Sequence, residues 1–320
     1  MYKGLRACAA AVILITASAI IVNAQTTHDT TGPYKVVMEE DHSLPGFTVY
    51  HPENVSAVKE KLPILAWGNG ACLNAGNSTE PYLSEIASHG YLVVAIGPID
   101  PNFTTLLAKM REAQAKGEKP GPPAGEPPPM NPITRKPTKS SQLNEAIDWA
   151  IKQNSTSGSP YKNKIATDEI GVSGTSCGGL QAIEAAADPR VKTALLLNTG
   201  IIRDTSKLPP SITLPAAKTE SLKKLHTPVI YIIGGPTDIA YNNADLDYTD
   251  INHIPLFRAD INVGHGGTSI QPHGGKFADV MVAWLNWQLK HDKKAAAVFT
   301  GEKCGLCSDS EWTLRRKNFN

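Results

Sequence analysis

Seven short runs of branched and apolar residues alternate along this chain with stretches of helical period, and that alternation narrows the fold more than any single motif. The strand-like runs are residues 47–50, 63–67, 91–96, 169–173, 191–197, 228–233 and 254–261, and the helical stretches are 79–88, 142–152, 178–187 and 276–289. A strand that follows a helix into the same sheet must cross over it, so the pattern predicts an α/β fold: a mostly parallel central sheet flanked by helices. Ligands in such sheets sit beyond the carboxyl ends of the strands, in the loops that follow them. One stretch breaks the rhythm. Eight of the 24 prolines fall between Lys119 and Lys139. Proline fixes φ and donates no hydrogen bond, so residues 118–138 are read as a surface insertion, either a lid or a plain loop, after a short helix near 103–115.

Composition removes several classes. With 41% apolar and 19% charged residues the chain is neither disordered nor fibrous, and 31 basic against 30 acidic residues give no electrostatic ground for a nucleic-acid partner. Lys3 and Arg6 precede a 14-residue apolar run, Ala9 to Val22, with Ala24 offering a cleavage site. That run is shorter than the roughly 20 residues a bilayer span needs. Residues 1–24 are therefore expected to be a signal peptide and residues 25–320 a single secreted domain without a membrane span, ending in a cysteine-containing tail at 300–320. Removal of Cys8 with the leader leaves Cys72, Cys177, Cys304 and Cys307, an even number that favours disulfides in an oxidising compartment. Sequons at Asn54, Asn77, Asn102 and Asn154 offer glycosylation sites. No further ligand set for a metal and no cofactor-binding motif stands out.

The chemistry concentrates in Gly174-Thr175-Ser176-Cys177-Gly178-Gly179, between a strand-like run and a helical one. This is the G-x-S-x-G elbow in its expected setting, a turn so tight that Gly174 and Gly178 must lack side chains. Ser176 is the expected nucleophile. Cys177 as the nucleophile would put β-branched Thr175 at the crowded position instead. A serine hydroxyl needs a base, and the base needs an acid to orient it. In chain order, Asp238 follows the 228–233 run and His265 follows the 254–261 run. Asp245, Asp247 and Asp250, read as a surface segment, and His273 are the rivals. The backbone N–H of Cys177 and one from the Asn69-Gly70 loop would form an oxyanion hole. The four cysteines admit three pairings: Cys72 and Cys177 lie on these two loops, so a disulfide between them would brace the hole, while Cys304 and Cys307 are placed either to close a small loop or to bind other partners. Trp67 and Asn198-Thr199-Gly200 are expected to approach the pocket, and Trp284 and Trp287 to serve packing.

Together with the helix-to-strand junction Glu85-Ile86-Ala87-Ser88-His89-Gly90-Tyr91, these residues resemble the α/β-hydrolase superfamily, in particular its dienelactone-hydrolase-like and cutinase-like polyester hydrolases. The resemblance implies a serine hydrolase acting on carboxylic esters, small or polymeric, with Ser176, Asp238 and His265 as its triad and no cofactor. Two departures limit the transfer of substrate: Cys177 stands where polyester hydrolases usually carry Met, and the proline-rich insertion is not part of their pattern. An acyltransferase or peptidase on the same triad and a non-catalytic binding protein on a hydrolase scaffold remain the alternatives.

Overall fold

The computed structural model describes residues 25–26, 30–117, 132–207 and 214–319. The signal-peptide segment and most of the proline-rich insertion lie outside the described residues. In chain order the strands are β1 (Gln25–Thr26), β2 (Val36–Glu39), β3 (Phe47–Pro52), β4 (Leu62–Gly68), β5 (Leu92–Ile96), β6 (Ile165–Thr175), β7 (Thr193–Leu197), β8 (Val229–Ile233), β9 (Leu256–Ile261) and β10 (Trp312–Lys317). The helices are α1 (Glu80–Ser88), α2 (Pro101–Ala115), α3 (Ser141–Gln153), α4 (Cys177–Ala185), α5 (Thr219–Leu222), α6 (Tyr241–Asp250), α7 (Gly275–Lys290) and α8 (Lys293–Ala296). The strands form one sheet in the order β1-β2-β3-β5-β4-β6-β7-β8-β9-β10, parallel from β5 to β9 and antiparallel at both margins.

The central strands are apolar on both faces because both faces are covered. In β4, Ile64 and Ala66 join a core with Leu143 and Ile147 of α3 and Ile183 of α4, whereas Leu65 and Trp67 join the opposite core with Ile86 of α1 and Leu285 of α7. The same alternation splits β8, with Val229, Tyr231 and Ile233 on one side and Ile230 and Ile232 on the other. Every residue of β4, β5, β7, β8 and β9 is buried. That slab aims the carboxyl ends of β4, β5, β6, β7, β8 and β9 at one rim.

The expected strands and long helices are present, with ends shifted by a few residues. Among the described elements, β1, β2, β10, α5, α6 and α8 escape the sequence pattern, and three of these bear on the fold. β2 is short, and β10 (WTLRRK) carries three consecutive cations, suited to the exposed edge of a sheet but unlike a strand by composition. The C-terminal tail is thereby pinned to β9, with Trp312 opposite Ile261. The third is α6, whose polar sequence hides a buried face. Asp247 on α6 is fully buried, not part of a surface segment as expected: its Oδ2 accepts from the Ile201 N–H at 2.8 Å and the Tyr231 hydroxyl at 3.1 Å. Arg258, inside the apolar run of β9, is also fully buried, held by Asp260 at 2.9 Å and stacked over the Tyr241 ring at 4.6 Å.

The glycosylation expectation fails at Asn77. Its side chain is buried, its amide donating to the Asp100 carbonyl and Thr104 Oγ1, both at 3.0 Å, so it has no room for a glycan. No described helix is long and apolar enough to cross a membrane.

Candidate active site

β6 ends at Thr175 and α4 opens at Cys177, so Ser176 alone makes the turn, at φ 53° and ψ −118°. A non-glycine residue rarely adopts positive φ, at a cost of about 1–3 kcal/mol, and persists there only when its surroundings leave no alternative. Here the Ser176 N–H donates to the Leu197 carbonyl at 2.9 Å, while the Ser176 carbonyl accepts from the Gly179 N–H at 3.0 Å and Thr199 Oγ1 at 2.8 Å. The neighbouring glycines are spatial necessities. A Cβ on Gly174 would strike the Gly178 carbonyl, one on Gly178 the Gly68 carbonyl, and one on Gly179 the Thr199 side chain.

The loops after β8 and β9 lie against each other, the Gly264 N–H donating to the Gly234 carbonyl at 2.7 Å. They bring His265 Nδ1 to 2.6 Å from Asp238 Oδ1 and His265 Nε2 to 3.0 Å from Ser176 Oγ. The Asp238 side chain is wholly buried, and its carboxylate accepts from the Ala240 N–H at 2.8 Å and the Gly234 N–H at 3.1 Å. Burial by itself would raise its pKa, but the histidine and the two amides outweigh burial and hold the carboxyl below the usual range. The His265 side chain is about one-third exposed (32%), open to a substrate on one side.

The rivals lie elsewhere. His273 faces Glu85 at 3.9 Å, Asp245 pairs with Arg258 and Arg315, Asp250 pairs with Arg203, and Asp247 is sealed beneath the loop after β7.

Cys177 is the first residue of α4, and the first N–H groups of a helix have no partner within it. Opposite it, β4 runs through Gly68 and Asn69 into a 3₁₀ turn, Gly70–Cys72, in which Ala71 and Cys72 both take positive φ, 52° and 50°. The Asn69 side chain is fully spent. It accepts from Trp67 Nε1 at 3.0 Å and donates to the carbonyls of Leu73 at 2.9 Å and Ile96 at 2.6 Å, so only backbone N–H groups of Asn69-Gly70 remain to face a ligand. Trp67, expected to approach the pocket, instead lies buried beneath the loop against Tyr82, with ring centroids 5.1 Å apart. The two loops are tied covalently by a Cys72–Cys177 disulfide, and Cys304 is joined to Cys307.

Asn198 and Thr199 hold the site from behind rather than lining it. Asn198 Nδ2 donates to the His265 carbonyl at 2.7 Å, and Thr199 holds the Ser176 carbonyl, so one loop grips both halves of the constellation. Asn198 itself sits at φ 45°. An Asn-Thr-Gly sequence after a strand signals a turn, and nothing in it announces two long-range hydrogen bonds.

A hydroxyl, an imidazole and a buried carboxylate in line at these distances can take a proton from the hydroxyl and stabilise the resulting imidazolium. Sheet order and the serine on the β6–α4 turn define an α/β-hydrolase. Residues 131–302, more than half of the chain, match the PET hydrolase-like family model (PETase), and the chain belongs to that family. It is accordingly a carboxylic ester hydrolase. The match spans Ser176, Asp238 and His265 and leaves out the loop at 68–72. No curated protein matches the sequence. Among the described residues, no group of three or more His, Cys, Asp or Glu side chains is arranged to hold a metal ion.

Proposed function

We propose that this chain is a secreted serine hydrolase whose single domain, residues 25–320, cleaves carboxylic esters, polyesters among them, through an acyl-enzyme on Ser176. The observation that carries the reading is the line Ser176 Oγ, His265, Asp238, with gaps of 3.0 and 2.6 Å. His265 Nε2 takes the Ser176 proton as Oγ adds to the ester carbonyl, while Nδ1–H donates to the Asp238 carboxylate. The oxyanion that forms is held by the N–H of Cys177 and one from Asn69-Gly70. The imidazolium then protonates the departing alcohol. Water, deprotonated by the same nitrogen, adds to the acyl-enzyme, and collapse returns the proton to Ser176 and releases the acid.

Two disulfides suit the oxidising compartment that a leader at residues 1–24 implies. Asn54, Asn102 and Asn154 are the sequons left for glycosylation.

Hydrolysis of short and medium p-nitrophenyl esters tests the reading, with Ser176→Ala and His265→Ala alongside. Both variants should lose at least about 10³-fold in kcat while staying folded. A Ser176→Ala protein as active as the parent would refute the acyl-enzyme. Ester products formed in the presence of added alcohol, in place of free acid, would move the assignment to acyl transfer.

A further inference from the structure

We infer that the Cys72–Cys177 disulfide is a positioning element of the ester-cleaving site: it holds the two oxyanion donors at their catalytic separation. The inference rests on the function proposed above. The bond joins the residue that follows the nucleophile to the last residue of the turn facing it, Cα to Cα 5.2 Å, across 105 residues of sequence. It therefore links the two backbone segments that must converge on one oxygen atom.

The turn needs such a tie. Ala71 and Cys72 sit side by side in the left-handed region, which side chains avoid and which no glycine relieves there. Left to local preference, residues 70–72 would relax and carry their amides with them. Against this stand the disulfide and Thr138, whose N–H and Oγ1 both donate to the Cys72 carbonyl, at 3.2 and 3.0 Å, with Gln181 Nε2 donating in turn to Thr138 Oγ1 at 2.9 Å. Hydrogen bonds hold the turn to its neighbours; among the described residues, the disulfide is the covalent tie that fixes it to the N–H-bearing residue itself. The Cys304–Cys307 bond spans a separation of three residues in the C-terminal tail and belongs to neither loop.

Ester kinetics test this in Cys72→Ala/Cys177→Ala, with Cys304→Ala/Cys307→Ala as the control, at a temperature where circular dichroism shows both folded. Removing the first bond should lower kcat about ten- to hundredfold with KM changed less than about twofold, somewhat below the roughly 10²–10³ lost with a whole oxyanion donor. Binding of a trifluoromethyl ketone, which presents the tetrahedral oxyanion, should weaken by the same factor. The control should match the parent in both.

The parent treated with dithiothreitol provides a second arm. The dithiol passes two electrons and two protons to the bond, leaving two cysteine thiols and a cyclic disulfide. Performed in the Cys304→Ala/Cys307→Ala background, this treatment should reproduce the loss of kcat, and reoxidation should restore it. A variant or reduced enzyme that melts earlier yet keeps parental kcat and ketone affinity would overturn the inference and leave the bond a stability element. Failure of the function itself reads differently, because the parent would then be inert on esters.

Discussion

At the scale of single residues, a buried carboxylate and a turn amide do most to keep His265 in place. Asp238 stays ionised well into the acid range, since its pKa lies below the ordinary carboxylate value despite burial. Its contribution to stability is present above the unfolded value of about 3.9 and is lost as pH falls through the lower folded value. The pH profile of kcat/KM should therefore show no separate limb from Asp238 above about pH 4. Replacing Asp238 with Asn keeps the volume but favours the wrong histidine tautomer, and kcat should fall by about 10⁴, read at the pH plateau. Asn198 acts at one remove. Asn198→Gly tolerates the 45° φ while deleting the amide on the His265 carbonyl, so kcat should drop about tenfold, ~1.4 kcal/mol of barrier, with KM little changed. An unchanged kcat would mean the histidine loop holds itself.

Among the elements, α6 departs most from what its sequence suggests. Its composition is polar, yet Asp247 faces inward and holds the loop that grips Ser176 and His265 through the Ile201 N–H. Burial raises the Asp247 pKa, and its bonds to Ile201, Arg203 and Tyr231 offset that only in part. For a carboxyl raised on folding, the folded state keeps a proton that the unfolded chain has released, so stability falls as pH climbs from about 3.9 through the folded value. Urea unfolding across that window should show this loss in the parent and a flatter profile in Asp247→Asn. Equal slopes in the two proteins would remove Asp247 from the account. Of the elements whose own pattern is weak, α6 and β10 are stabilised by partners distant in the chain, whereas β2, paired with the nearby β3, is too short to show a period. The long apolar strands and α7 were visible because burial on the sheet demands a pattern that survives in a single sequence.

Across the whole molecule, the two disulfides do different work because they close loops of different length. Constraint of the unfolded chain grows with loop size, so loss of the Cys72–Cys177 bond, 105 residues apart, should cost about 4–5 kcal/mol, against about 2 for Cys304–Cys307, three apart. Denaturant midpoints of the two double-alanine variants measure the difference. Comparable losses would mean that the short bond secures the β10 tail as well as its own loop. The six parallel strands bring six loops to one rim, and three of them supply Ser176, Asp238 and His265 from positions 62 and 27 residues apart.

Local chemistry by itself determined the α/β class, the chain order of serine, acid and histidine, and the need for glycine around Ser176, because apolar periodicity and turn sterics act over a few residues. Only the tertiary structure decided between His265 and His273, buried Asp247, spent the Asn69 side chain on the loop's own frame, closed Asn77 to modification and joined Cys72 to Cys177. Each of those depends on which strands lie side by side, and sheet order is set by packing between segments far apart in the chain.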